Sequence, residues 1–256
     1  MRLRFLLLFF AAVLAALPAA AIVRRADRDD AEYLELASRY RSALALGGFG
    51  EGVLIAPRWI LTSASVAAAL REAHATRLAI GGVEHEIAAL TFAPEALHAE
   101  LALVLLRDAI EGIEPTPPHR EPDEQGKAVV IVGHGATSTI GGDGSIRDGR
   151  VRGAINTVDR VEPGRLVLDV KAPDDASDLQ GAAGPGDEGA PAYLEAKGRL
   201  TVAGIAQGPR GARIPRAGDA DIYTRVSAFV SWIDEAMFKA ASEEAAAETA
   251  RKPRRR

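Results

Sequence analysis

The 256-residue chain contains no cysteine. This absence excludes a disulfide-stapled scaffold, cysteine-ligated zinc, iron–sulfur clusters and thiol catalysis. No internal repeat of about 20–50 residues is visible, which argues against a solenoid or propeller. There is also no apolar run of the roughly 20 residues that a spanning helix needs; the main candidate, Phe5 to Leu17, is shorter. Nor is there a cationic excess. The formal net charge is −4, and the closing RKPRRR (251–256) concentrates cations at one end of an otherwise acidic body. A nucleic-acid groove needs clustered cations to displace counterions from phosphate, so no nucleic-acid partner is expected. What remains is 48% hydrophobic and 26% charged residues with 25 Gly and 14 Pro, enough for one large globular domain or two small ones.

The opening segment reads as a secretory leader: Arg2 and Arg4, the apolar core, Pro18, then Ala19, Ala20 and Ala21. It predicts cleavage before Ile22, a signal peptide over 1–21, and a secreted or periplasmic mature chain. Residues 29–41 place Tyr33, Leu36, Ala37 and Tyr40 at helical spacing behind acidic residues, which predicts a short N-terminal helix. From Leu44 onward, short apolar runs such as VLIA (53–56), WILT (59–62), AVVIVGHG (128–135) and LTVAGIA (200–206) alternate with Gly, Pro and Asp. That pattern predicts an all-β barrel or sandwich. Ser227 is a candidate N-cap for a closing helix over 227–250, with Phe229, Val230, Ile233 and Met237 on one stripe.

Several strings, in order, resemble the trypsin/chymotrypsin-like serine proteases, in particular their exported, cysteine-free bacterial members. Ile22-Val23 resembles the start of an activated protease. GEGVLIAPRWILTSASV (50–66) resembles the segment that ends in the base histidine, and ELALVLL (100–106) resembles the strand that carries the aspartate. GDEGAP (186–191) resembles Gly-Asp-Ser-Gly-Gly-Pro, and VAGIAQG (202–208) and DIYTRVSAFVSWI (221–233) resemble the cleft strand and the terminal helix. The resemblance implies two antiparallel β-barrels with a cleft between them. The first, with the N-terminal segment, falls in 22–125 and the second in 126–226.

The resemblance also implies that the catalytic residues are substituted. Ser65 stands at the histidine position, Glu100 at the aspartate position and Glu188 at the nucleophile position. The family mechanism needs a serine, an imidazole that takes its proton and a carboxylate that orients the imidazole. A serine hydroxyl does not titrate near neutrality, and a carboxylate nucleophile would form an anhydride more reactive than the amide attacked. Of the five histidines, His98 precedes Glu100 by two residues; a strand extended that far would put both on one face, but the preferred reading of His98 is a surface or loop histidine. His134 reads as packing or loop chemistry, and His74, His85 and His119 have no nameable partners. A cation held by Glu100, Glu188 and Ser65 is one alternative, although the spacing fits no known loop pattern; no metal or cofactor is expected.

The retained parts are Asp187 and Ile22, which imply a buried ion pair once Ile22 is the N-terminus, and Gly186 and Glu188, whose amides imply an oxyanion hole. Ala182 maps to the base of the specificity pocket and Gln207 and Gly208 to its wall. With no acid at Ala182, the pocket is expected to take small or apolar side chains. The leading expectation is a catalytically inactive homologue that binds a peptide or protein. An active endopeptidase with non-standard residues is a second reading. A structural envelope protein, its basic tail on an anionic surface, is a third.

Overall fold

The computed structural model describes residues 22–208 and 214–251, so the expected leader and the basic tail beyond Arg251 lie outside the described residues. β1 (Val23–Arg24) leads into α1 (Asp30–Ala37). Asp29 caps α1 by accepting from Ala31 N at 3.0 Å, and Glu32 reaches back to Asp29 N at 3.3 Å. This reciprocal box satisfies amides that the first turn leaves without partners. The helix expected to reach residue 41 stops at Ala37, and Tyr40 beyond it packs on Tyr193, the rings tilted by 37° with centroids 4.9 Å apart.

The next strands are β2 (Ala43–Ala45), β3 (Glu51–Ala56) and β4 (Trp59–Thr62). After α2 (Ala64–Glu72) come β5 (Arg77–Ile80), β6 (Val83–Phe92) and β7 (Ala102–Leu106). They form one antiparallel sheet in the order β2-β3-β4-β7-β6-β5. The sequence pattern did not anticipate α2. Ser63 starts it by accepting from Val66 N at 3.2 Å, and Val66, Ala67 and Leu70 supply its buried face.

The rest of the chain gives β8 (Ala128–Gly133), β9 (Ser138–Thr139), β10 (Arg152–Thr157), β11 (Arg160–Glu162), β12 (Arg165–Asp169), β13 (Gly181–Ala182), β14 (Pro191–Ala196), β15 (Arg199–Ala206) and β16 (Ala220–Arg225), followed by α3 (Val230–Arg251). Seven of these strands make a second antiparallel sheet, β10-β8-β14-β15-β16-β12-β11, while β1 lies between β13 and β9. Both large sheets are curled and barrel-like, as expected for a trypsin-like double barrel.

Period-two alternation joins the two halves. On β7, Val104 and Leu106 point into the first sheet's own core, while Leu103 points into a shared core with Val132, Tyr193, Val202 and Ile205 of the second sheet. β3 does the same with Leu54 on one side and Val53 and Ile55 on the other. Each such fully buried aliphatic side chain contributes about 1.5–3 kcal/mol. Val226, Phe229 and Ile233 close the shared core from the C-terminal side.

The C-terminal helix begins later than expected. Ser227 does not cap it but lies in a 3₁₀ turn over Val226–Ala228, where its hydroxyl donates to Glu124. Glu124 is wholly buried and also takes a fork from Arg225, with Nη2 at 2.6 Å and Nε at 3.1 Å. A buried carboxylate needs its donors more than an exposed helix start needs a cap.

Candidate functional site

The structure brings two of the three positions singled out in the sequence, Ser65 and Glu100, into direct contact. Ser65 sits in the first turn of α2, and its backbone N–H donates to Glu100 Oε1 at 2.8 Å. Its hydroxyl is 2.9 Å from Ser63 Oγ. Glu100 precedes β7, and its carbonyl accepts from Thr224 Oγ1 at 3.2 Å, with Gln207 Nε2 donating to that same hydroxyl at 3.1 Å. Glu100, His98, Arg165 and Gln207 line one open hollow, which holds no hydroxyl side chain. His98 is exposed and lies outside the strand, so the strand alternation that would align it with Glu100 is absent. β7 starts only at Ala102, and His98 ends a 3₁₀ turn in the left-handed region, φ 47°.

Glu188 lies on the turn between β13 and β14. Its carbonyl accepts from Glu51 N at 2.8 Å, docking the turn onto β3, while the half-buried side chain lies across Gly208. A Cβ on Gly208 would lie 2.6 Å from Glu188 Cγ, and the backbone there has φ +80°. Only glycine fits this close approach. Gly186 is half-buried with φ +99°, as the turn passes from Pro185 to Asp187. Ala182 is buried in β13 opposite Val23.

Asp187 is wholly buried. Its Oδ2 accepts from Gly184 N at 2.9 Å, but Oδ1 has no hydrogen-bond partner among the described residues. Burial, followed by repulsion from Glu51, pushes its carboxyl well above the usual carboxylate range. Ile22 is also wholly buried, and residues 1–21 precede it in this chain, so its nitrogen is an amide and not an ammonium.

Three polar clusters, each built around a buried residue, escaped the sequence reading. Glu51 occupies a core-side position of β3, and its carboxylate meets His134 Nδ1 at 2.8 Å and His134 N at 3.2 Å. Burial raises the Glu51 carboxyl, and the His134 contacts oppose the rise. His134 is therefore a hydrogen-bond partner of a buried carboxyl group, beside the turn that carries Glu188. The two residues, with Gly186, Arg147 and Glu188, line a cavity of about 370 Å³. Asp221, at the head of β16, accepts from Ala183 N at 2.7 Å and from Tyr223 OH at 3.3 Å. A buried carboxyl group from β16 thus lies against the backbone next to Ala182, a neighbour that the identity of residue 182 alone did not reveal. The visible signals were Glu51 in register with Val53 and Ile55, and Asp221 in register with Tyr223.

The third cluster has the outline of a hydroxyl–imidazole–carboxylate chain. His119 Nδ1 is 3.1 Å from Thr201 Oγ1, and Nε2 is 2.9 Å from Asp123 Oδ1. The polarity is wrong for a base, because the Thr201 hydroxyl spends its proton on Leu194 O at 2.9 Å. The ring must therefore donate to the hydroxyl, whereas a general base must present a bare nitrogen to it. Among the described residues, no cluster of three or more His, Asp or Glu side chains is arranged to hold a metal ion.

A comparison with curated proteins finds no match. A family model described as a trypsin-like peptidase domain matches residues 50–205, which spans Ser65, Glu100 and Glu188. That match takes in more than half of the 256 residues and agrees with the double-barrel architecture, so the chain belongs to the trypsin-like peptidase domain family.

Proposed function

We propose that this protein is an exported, catalytically inactive member of the family that binds a peptide or protein segment in the former catalytic cleft. The observation that carries the reading is the Ser65–Glu100 contact. The carboxylate that would orient an imidazole is instead bonded to a backbone amide at 2.8 Å, and the side chain in the base position is a hydroxyl. With base and nucleophile both replaced, only binding and backbone-amide contacts are left to act on a peptide, and hydrolysis by the family mechanism has no proton acceptor. The Glu51–His134 pair has the imidazole–carboxylate half of that mechanism, but no serine or threonine lines the cavity beside it among the described residues, and His119 has both ring nitrogens bonded, to Thr201 and Asp123. The cleft retains hollows on both sides of the Gln207–Glu188 region, which supports binding.

The test is incubation of the protein with a panel of fluorogenic peptides and with an active-site phosphonate. Hydrolysis is expected to stay at background, and no serine should be labelled. Labelling of Ser63 or Ser65, or turnover abolished by Ser65→Ala, would establish a working enzyme and sink the reading.

Export is part of the same proposal. Cleavage before Ile22 would convert a buried amide into an ammonium, and the partnerless Asp187 Oδ1 is a fitting acceptor for it. A chain beginning at Ile22 should then be more stable than the same chain acetylated at Ile22, by about 3 kcal/mol, the scale of a broken buried pair. Asp187→Asn should erase the difference in urea titrations. Equal stability of the free and acetylated chains would exclude the ion pair.

A further inference from the structure

Away from the cleft, the segment after α1, the stretch 112–117 and the β14–β15 hairpin line an open cavity of about 620 Å³. It shares no lining residue with the hollows around Glu100 and Glu188. Arg39, Arg41 and Arg199 line it, against a single acid, Glu114. This local cationic excess stands in a chain whose net charge is −4. Among the described residues, neither Arg41 nor Arg199 has an ion-pair partner. The contact of Arg39 with Glu35 is long, 3.8 Å, between two exposed side chains, and pairs of that kind hold little energy.

The floor of the cavity carries a second, independent signal. Ser42 Oγ lies 2.7 Å from Thr116 Oγ1 and 2.8 Å from Tyr193 OH, and all three residues are buried. Three hydroxyls have three protons, but their two links use only two. One proton is left without an acceptor, and Thr116 is the end of the chain that lines the cavity. An acceptor placed there would draw the remaining proton outward and give the row a single direction, from Tyr193 through Ser42 to Thr116. Arginines and a hydroxyl donor lining one cavity match a multidentate oxyanion.

We propose that this cavity is a binding site for a phosphate monoester, with Arg41 and Arg199 holding the phosphate and Thr116 donating to one of its oxygens. The volume exceeds that of the phosphate alone, and Tyr40 and Leu200 provide apolar wall for the esterified group.

Calorimetric titration of the full chain with inorganic phosphate and with phenyl phosphate tests this at fixed ionic strength. Both should bind saturably, phenyl phosphate more tightly. The exposed double substitution Arg41→Gln/Arg199→Gln should weaken both by about tenfold or more. Thr116→Val, which changes no charge, should weaken both less than the double substitution does. Its fold is checked by an unchanged circular dichroism spectrum. No saturable heat at millimolar phosphate, or undiminished affinity in the double variant, overturns the site. Wild-type affinity in a folded Thr116→Val protein overturns the role of the hydroxyl, and equal affinity for the two ligands overturns the apolar wall. None of these readouts depends on whether the cleft is catalytic.

Discussion

Arg152→Met is expected to destabilise the folded protein by about 3 kcal/mol. The Arg152 side chain is 1% exposed, and all five of its N–H groups are used. Nε and Nη2 grip Asp30 at 2.7 and 2.8 Å, Nη1 and Nη2 grip Asp148 at 2.9 and 2.6 Å, and Nη1 also reaches Arg150 O at 3.4 Å. The first fork fastens α1 to β10, and the second fastens the loop before β10. Methionine fills much of the volume but leaves two facing carboxylates. The figure lies at the low end for buried pairs, since Asp30 and Asp148 are a quarter exposed and can recover water. Arg152→Lys should lose a smaller part, because one ammonium keeps the charge but cannot reproduce two planar forks. Hydrogen bonding to Arg152 holds both carboxyls below their ordinary value. Stability from a depressed carboxylate is present above the unfolded-state pKa, near 4, and is lost as pH falls through the folded-state value. The gap between wild type and Arg152→Met, read from urea midpoints, should therefore narrow on acidification below about pH 4. A gap under about 1 kcal/mol at neutral pH would show the forks to be no better than surface pairs.

The parts of the fold that were legible in the sequence are those set by local pattern. WILT reads as a strand and is β4, and the continuous apolar run 101–106 becomes β7, buried on both faces because it packs between two cores. The architecture was legible for another reason: the order of the strings around Ile22, Thr62, Leu103, Gly186 and Tyr223 matches a family, and the family fixes the topology. What local pattern missed depended on partners distant in sequence. Ser227 looks like a cap until Glu124, more than a hundred residues earlier, claims its hydroxyl. β10 contains Arg152, Gly153 and Asn156, too polar to read as a strand, yet each finds a remote neighbour: Asp30 for Arg152, Gly181 O for Asn156, and the α1 backbone at Ala37 over Gly153. The same holds at the candidate site. Ser65, Glu100 and Glu188 could be aligned by position alone, but the Glu51–His134 pair unites a strand of the first sheet with a loop leaving β8. No spacing rule links positions 51 and 134.

Asp221 should make the protein less stable as pH rises from about 4 to about 7. Its carboxyl is fully buried and is pushed from 3.8 up to about 7, chiefly by loss of water, against the donors from Ala183, Tyr223 and Ile222. A raised acid works in the opposite sense to Asp30 and Asp148. Between the unfolded and folded values the native state holds a proton that the unfolded chain has released, so unfolding is favoured progressively across that window. The full offset is worth on the order of 4 kcal/mol. Glu51 is raised as well and steepens the same slope, as is Asp187 while Ile22 is not the N-terminus. Asp221→Asn removes one titrating group from this set and keeps an amide oxygen to accept from Ala183 N. The variant should be the weaker protein near pH 4, where the protonated acid is at no disadvantage and the second donor site suits carboxyl better than amide. It should gain on wild type with each step toward pH 8, and its stability curve should be flatter by up to about 4 kcal/mol over that range. Urea midpoints across the window decide it. Parallel curves for the two proteins would mean that Asp221 is ionised in the native state throughout, held so by a cation or by water reaching Ala183, and burial would then not be what governs this carboxyl.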